Sequence, residues 1–249
     1  MDITSKLDLR GHAVLFDKDG TLFDFTASWA TTSAEILRRL ADGDTARLEA
    51  MAQAGGFDLE TQTFRDDSII IAGTAAELFD MLATSGNLPL AHVRRVTDAA
   101  VSSAQMAPVK GLLPALEALA HAGAKLGVVT NDSEAAALSH LRATGILKYF
   151  ETVVGYDSGY TPKPDPGSCL GAANRLGVAA ERCIMVGDST HDLEAGAAAG
   201  MTCLAVLTGI ARTPTLAPLA HAVLPSVAEI PDWLNDWRSS KENDSKRRL

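Results

Sequence analysis

The sequence predicts an α/β protein, a doubly wound (Rossmann-like) parallel sheet with an inserted α-helical cap domain. Three observations point there. Short, continuously apolar runs recur along the chain, as expected of strands covered on both faces. Helical patterns alternate with those runs in the second half, which implies βα units with right-handed crossovers. A stretch of some eighty residues near the start is helical throughout, too long for a loop between core elements.

The first apolar run is Ala13 to Phe16. From Asp24 to Ala107 the patterns are helical and no convincing strand is found. Helices are expected over Ala34–Ala41, Ala46–Ala54, Thr74–Thr84 and Ala91–Ala104, and the apolar run Ser68–Ile71 is read as helix from its neighbours. Pro108 and Gly111 mark the return to the sheet. Leu112, Leu116, Leu119 and Ala120 share one helix face, and Gly123 can end that helix. A strand at Lys125–Thr130 follows, then a helix carrying Leu138 and Leu141 that stops near Gly145. Thr152–Val154 is the next strand. Asp165 reads as an N-cap with Pro166 at the first helical position, and that helix runs to about Leu176. Strands at Cys183–Val186 and Thr202–Leu207 flank a helix from about Asp192 to Ala199. The expected division is a core of residues 1–23 and 108–237, a cap of 24–107, and a solvated, charge-rich tail of 238–249.

Composition limits the function. Of 249 residues, 47% are hydrophobic, enough for a sizeable core. The net charge of −9 argues against a general nucleic-acid binder, which needs clustered Lys and Arg. No apolar run approaches the length of a membrane span, and the start of the chain lacks the apolar stretch of a signal peptide. A cytoplasmic protein without a membrane partner is therefore expected. Cys169, Cys183 and Cys203 are odd in number and widely spaced, which suits buried small residues rather than a disulfide framework or zinc site. Composition leaves monomer and homodimer open.

Four predicted strand ends carry chemistry. The first strand runs into Asp17-Lys18-Asp19-Gly20-Thr21. In open α/β sheets ligands bind at the carboxyl ends of strands, so Asp17 should stand at the rim of a site. Two carboxylates this close call for a neutralising cation or for distinct protonation roles. A calcium loop is the competing reading of D-x-D-G, but the ligands expected further along are missing. The second strand ends at Thr130-Asn131-Asp132, offering a hydroxyl for phosphate oxygens. Lys163 stands between prolines just before a helix N-terminus, a place that favours anions. The fourth motif, Gly187-Asp188-Ser189-Thr190-His191-Asp192, adds two carboxylates at the same rim.

In this order and spacing, Asp17-x-Asp19-Gly20-Thr21, Thr130, Lys163 and Gly187-Asp188-x-x-x-Asp192 resemble the haloacid dehalogenase-like hydrolase superfamily over about Gly11 to Leu207. The Lys-Pro-x-Pro segment and the cap position resemble its phosphoglycolate phosphatase-like branch. The resemblance implies a magnesium-dependent phosphatase acting on a small phosphorylated metabolite, with phosphoglycolate the first substrate to consider. Asp17 is then the nucleophile that forms an aspartyl-phosphate, and Asp19 the general acid and base. Thr130 and Lys163 hold the phosphoryl oxygens, with Asn131 helping to position substrate. Mg²⁺ is expected on Asp17, the Asp19 backbone carbonyl and Asp188, with Asp192 either a direct ligand or the group that orients a metal-bound water. The Asp at position 19 favours phosphoryl transfer, because the family's dehalogenases do not use one there. A phosphosugar mutase on the same scaffold and a non-enzymatic interaction module are the alternatives.

Other residues are given lesser roles. Strand alternation directs Lys18 away from Asp17. His191 is read as a loop residue, since magnesium prefers oxygen. Phe25 and Trp29 are read as packing at the cap junction. Arg65 is the cap residue suited to grip a substrate carboxylate, although Asp66 and Asp67 beside it suggest an exposed polar turn.

Overall fold

The structure is a computed structural model that describes residues 7–65, 68–72 and 74–237. The tail expected at 238–249 and the turn expected at Asp66 and Asp67 lie outside the described residues. Strand β1 (Ala13–Phe16) is followed by helices α1 (Phe25–Ala41) and α2 (Thr45–Gly55). A small hairpin, β2 (Phe57–Asp58) and β3 (Thr63–Phe64), precedes α3 (Ile69–Ala72), α4 (Ala75–Gly86) and α5 (Leu90–Ser102). The chain returns through α6 (Leu112–His121), β4 (Lys125–Val129), α7 (Glu134–Ala143), β5 (Thr152–Val154), α8 (Gly167–Leu176) and β6 (Cys183–Gly187). It continues with α9 (Thr190–Ala198), β7 (Thr202–Val206), α10 (Thr213–Leu216) and β8 (Ala222–Leu224), and α11 spans 230–237.

Six strands form one sheet in the order β5-β4-β1-β6-β7-β8, every neighbouring pair parallel. This is the doubly wound α/β class that the alternating apolar runs predict. Phe16, at the end of β1, lies opposite Val128 on one side and Val186 on the other. The strand order reverses around β1, which places the end of that strand at the topological switch point where such sheets bind ligands.

The continuous apolar runs have a direct cause. Successive side chains of a strand face opposite ways, and both faces here are covered. Val14, Phe16, Leu126, Val128 and Ile184 pack with Leu116, Leu119 and Leu141 on one face. Ala13, Leu15, Val129 and Met185 pack with Cys169, Ala172 and Leu176 on the other. All three cysteines are free and buried. No helix among the described residues is long and apolar enough to cross a membrane.

The helices between β1 and α6 have an apolar cluster of their own, built on Leu37, Leu40, Met51, Phe79, Leu82 and Val93. Their starts are capped: Asp24 accepts the Ala27 amide at 2.8 Å, and Thr74 forms a capping box with Glu77. Entry to and exit from this segment run side by side. The Asp24 amide donates to the Ala107 carbonyl at 2.9 Å, and the Val109 amide donates to the Leu22 carbonyl at 3.0 Å.

Four expectations need correction. The segment does contain strands, the short β2–β3 hairpin, whose two-residue arms give no readable alternation. Helix α1 begins at Phe25, nine residues before the expected Ala34, because Asp24 caps it ahead of any periodic apolar pattern. Helix α8 begins at Gly167, with Pro166 in the cap position, and Asp165 accepts the Gly167 amide at 2.9 Å from one residue further out. A sixth strand, β8, closes the sheet at the edge, too short and too exposed to stand out as an apolar run.

Candidate active site

Three glycines and a set of strand ends bring the charged residues together. Asp17 follows β1 directly and its amide donates to Val186 at 2.8 Å, so the ladder with β6 fixes its backbone. Gly20 makes the turn that follows in a left-handed conformation (φ 84°). A Cβ at Gly20 would stand 2.3 Å from an oxygen of Asp188. At Gly209, in the loop after β7, a Cβ would stand 1.7 Å from the same carboxylate, and at Gly187 2.2 Å from Cβ of Asp192. These close approaches admit no side chain where the carboxylates now lie.

Lys163 is 3% exposed and its ammonium is fully engaged. It donates to Asp17 at 2.6 Å, to Asp192 at 2.5 Å and to the Val129 carbonyl at 3.0 Å. Burial opposes its charge, but Asp17 and Asp192 outweigh burial and hold it protonated above the usual lysine range. Asn131 clasps the same loop. Its amide nitrogen donates to the Lys163 carbonyl at 2.8 Å and its oxygen accepts the Lys163 amide at 3.0 Å. The side chain expected to position substrate is thus committed to the Lys163 backbone. Asp17, Lys163 and Asp188 open into a chamber that the helices after β1 also line, and Thr130 lines it too, its oxygen accepting the Asp132 amide at 3.1 Å.

Asp188 accepts from the Thr21 hydroxyl at 3.1 Å. Asp192 is the third helical residue of α9 and closes a capping box with Ser189, from which it accepts the amide at 3.0 Å and the hydroxyl at 2.7 Å. Oxygens of Asp17, Asp188 and Asp192 all lie within 4.8 Å of one another, and all three residues are buried. Burial pushes Asp17 up to about 7, with Lys163 pulling down and Asp192 pushing up. Burial likewise raises Asp188 well above the usual carboxylate range, helped by Asp192 and Asp17. A buried, all-oxygen cluster that carries more negative charge than one lysine neutralises fits a hard divalent cation. Among the described residues, Asp17, Asp188 and Asp192 are the side chains placed to hold it.

The side chain of Asp19 is turned to a different set of partners. One oxygen accepts from the Trp29 indole at 2.7 Å and the other from the Lys18 ammonium at 2.5 Å. Lys18 is completely buried. Besides Asp19 it meets Asp132 at 3.4 Å and His140 Nδ1 at 3.3 Å, and it lies 5.3 Å from the centre of the Trp29 ring. His140 in turn reaches the Val101 carbonyl through Nε2 at 2.8 Å. An ammonium can only donate and a carbonyl only accept, so Nδ1 is the bare nitrogen and Nε2 carries the proton. Burial, seconded by Lys18, lowers His140 below its ordinary value and keeps that neutral form.

The sequence directs Lys18 away from Asp17 and gives Trp29 a packing part, but carries no signal for the contacts of Lys18 with Asp132 and His140. Alternation said which way Lys18 points but not what lies beneath it, and His140 is 122 positions away. His191 stands in the first turn of α9 rather than in a loop and lines the chamber, outside the carboxylate cluster. Arg65 donates to the Gln53 carbonyl at 3.1 Å and does not line the chamber. Phe25 packs edge-on against Phe64, with centroids 5.1 Å apart, and also lines the chamber.

Comparison with known proteins supports the same reading. Residues 14–206 match the family model for haloacid dehalogenase-like hydrolases. A phosphoglycolate phosphatase from Rhodospirillum rubrum is 33% identical over 230 residues, covering 89% of this chain and 90% of its own. The pyrophosphatase PpaX of Bacillus velezensis is 32% identical over 209 residues, covering 84% of this chain and 89% of its own. The solved structure of a HAD family hydrolase from Deinococcus radiodurans, with bound phosphate and sodium, superposes with a TM-score of 0.61. It is 25% identical and covers 90% of this chain and 94% of its own. With the four motif segments meeting at the carboxyl ends of one parallel sheet, the chain belongs to the haloacid dehalogenase-like hydrolases, in their phosphoglycolate phosphatase-like branch.

Proposed function

We propose that the protein is a magnesium-dependent phosphatase that hydrolyses small phosphate monoesters through an aspartyl-phosphate on Asp17. The observation that carries this reading is Lys163, buried between Asp17 and Asp192 beside a third carboxylate, at the open end of β1. An Asp17 oxygen attacks phosphorus while the bond to the leaving oxygen breaks, and Asp19 supplies that oxygen with a proton. A water then attacks the same phosphorus and gives its proton to Asp19. The bond to Asp17 breaks and inorganic phosphate leaves. Lys163 and the Thr130 hydroxyl bind phosphoryl oxygens, and Asn131 acts by holding the Lys163 loop. Mg²⁺ on Asp17, Asp188, Asp192 and the Asp19 backbone carbonyl would offset the charge of the substrate dianion against this acidic cluster.

In this reading residues 24–107 are a cap over a core of 1–23 and 108–237. The chamber between them is lined from both sides, and the cap opens and closes to admit substrate and exclude water. Transfer to a second hydroxyl, as in a mutase, is the competing outcome on this scaffold, and stimulation by a sugar bisphosphate is its mark.

The test is phosphate release from an aryl phosphate and from phosphoglycolate, with Mg²⁺ and with a chelator, beside Asp17→Asn. Release that needs Mg²⁺ and falls to background in the variant is expected. Unchanged release from folded Asp17→Asn would remove the nucleophile assignment.

A further inference from the structure

The two walls of the chamber differ in chemistry. It has a volume of about 320 Å³, the lower end of the range for pockets that enclose a drug-sized ligand. The sheet side is polar and carries the carboxylates and Lys163. The helical side is mostly hydrocarbon, with Phe25, Ile36, Ile70, Leu78, Phe79 and Val101. Among the described residues its one charged lining residue is an anion, Asp98. Among the described lining residues Lys163 is the only lysine or arginine, and its ammonium is already shared by two carboxylates.

A phosphate held at Lys163 puts the alcohol half of the ester against this helical wall. A second anionic group there would lose water, meet no cation on the wall and face Asp98. A hydrocarbon group would instead cover apolar surface. Thr97 also lines the chamber, and its hydroxyl is buried without a hydrogen-bond partner. Resting on the phosphatase reading above, we infer that the alcohol half of the substrate is uncharged, mainly apolar and larger than a glycolate.

Arg94 is the residue that could overturn this. It borders a smaller adjoining cavity of about 230 Å³ and lies 5.5 Å from the centre of the Phe79 ring. The experiment compares kcat/KM of the full-length protein with Mg²⁺ on phosphoglycolate and on 2-phenylethyl phosphate. Both are primary alkyl esters, so leaving-group basicity does not decide between them. The phenylethyl ester is expected to be favoured at least tenfold, and Leu78→Asn, on a half-buried position, to cut its value about tenfold. Equal values overturn the inference. So does a preference for phosphoglycolate, and its loss in Arg94→Leu would identify the carboxylate's anchor. If neither ester reacts while other esters give Asp17-dependent phosphate, the substrate class falls and the phosphatase stands. If no ester gives Asp17-dependent phosphate, both fall.

Discussion

Replacing Lys18 with Met tests the setting of Asp19. Methionine keeps the length of the stem and removes the ammonium that touches Asp19 at 2.5 Å and Asp132 at 3.4 Å. The loss exposes a fault already present, because Asp132 Oδ2 is buried without a hydrogen-bond partner and has Lys18 as its counter-charge. Breaking a fully buried pair by deleting one partner costs about 3–5 kcal/mol. The Asp19 and Asp132 side chains are 20% and 19% exposed, so screening reduces this to about 2–3 kcal/mol. For a chain of this length that lowers Tm by roughly 4–12 °C. The kinetic signature is more specific. Asp19 keeps its bond from Trp29 but loses the one that fixes its second oxygen. An alkyl ester needs a proton on its leaving oxygen and an aryl ester much less. Because kcat/KM stops at formation of the aspartyl-phosphate, it isolates that proton transfer. The alkyl value should fall on the order of tenfold or more, part of the contribution usual for general acid catalysis, and the aryl value by much less. Lys18→Arg should restore part of the loss. A Lys18→Met protein with unchanged Tm and equal small losses on both esters would refute the reasoning.

Other perturbations address the rest of the site. Gly209→Ala would set a Cβ 1.7 Å from Asp188, so the carboxylate must move. Half-saturating Mg²⁺ in a phosphate-release titration should rise on the order of tenfold, and no change would separate Asp188 from the metal. Asn131→Ala removes both bonds that clasp Lys163 and should cost about 1–3 kcal/mol in kcat/KM, with Asn131→Asp restoring at most one of them; an unaffected kcat/KM would deny the clasp a role. Asp17 binds its proton up to about 7 when folded and only to about 4 when unfolded, so its burial weakens the fold as pH rises through that window. Mg²⁺ relieves the same charge, and its lift of Tm in a thermal melt should be larger at about pH 8 than at about pH 5.5; an equal lift at both would place the ion elsewhere.

The parts legible in sequence share one property: they are set by neighbours along the chain. Five strands were readable because burial on both faces leaves an unbroken apolar run, as in Ala13–Phe16. β8 was not, because its three residues lie at the sheet edge and two of them are only partly buried. The carboxylates and Lys163 were readable because each follows a strand or precedes a helix. Lys18 and Trp29 were not, since their meaning depends on Asp132 and His140, which arrive from β4 and α7. Trp29 looked like packing for the further reason that the start of α1 sets only Phe25 and Trp29 among small and polar residues, too few to mark the helix that aims its indole at Asp19. The shift of α8 by one residue is a matter of cap geometry, as both Asp165 and Pro166 suit a helix entrance.

The paired chain segments at the base of the helical segment have a consequence for how this chain could be rebuilt. Leu22 and Val109, and likewise Asp24 and Ala107, are joined by single backbone hydrogen bonds, and Phe23 bridges Pro108 between them. The eighty or so residues between begin and end at one spot on the sheet and enclose an apolar cluster of their own. The described residues from Phe25 to Met106 therefore join the sheet through a stem a few residues wide, a natural splice site, and touch the core again where Trp29 meets Asp19 and Val101 meets His140. Another insert whose ends lie one hydrogen bond apart could be grafted there, provided it returns the indole that holds Asp19 and the carbonyl that His140 reaches. Wall chemistry could then be varied while those two contacts are kept.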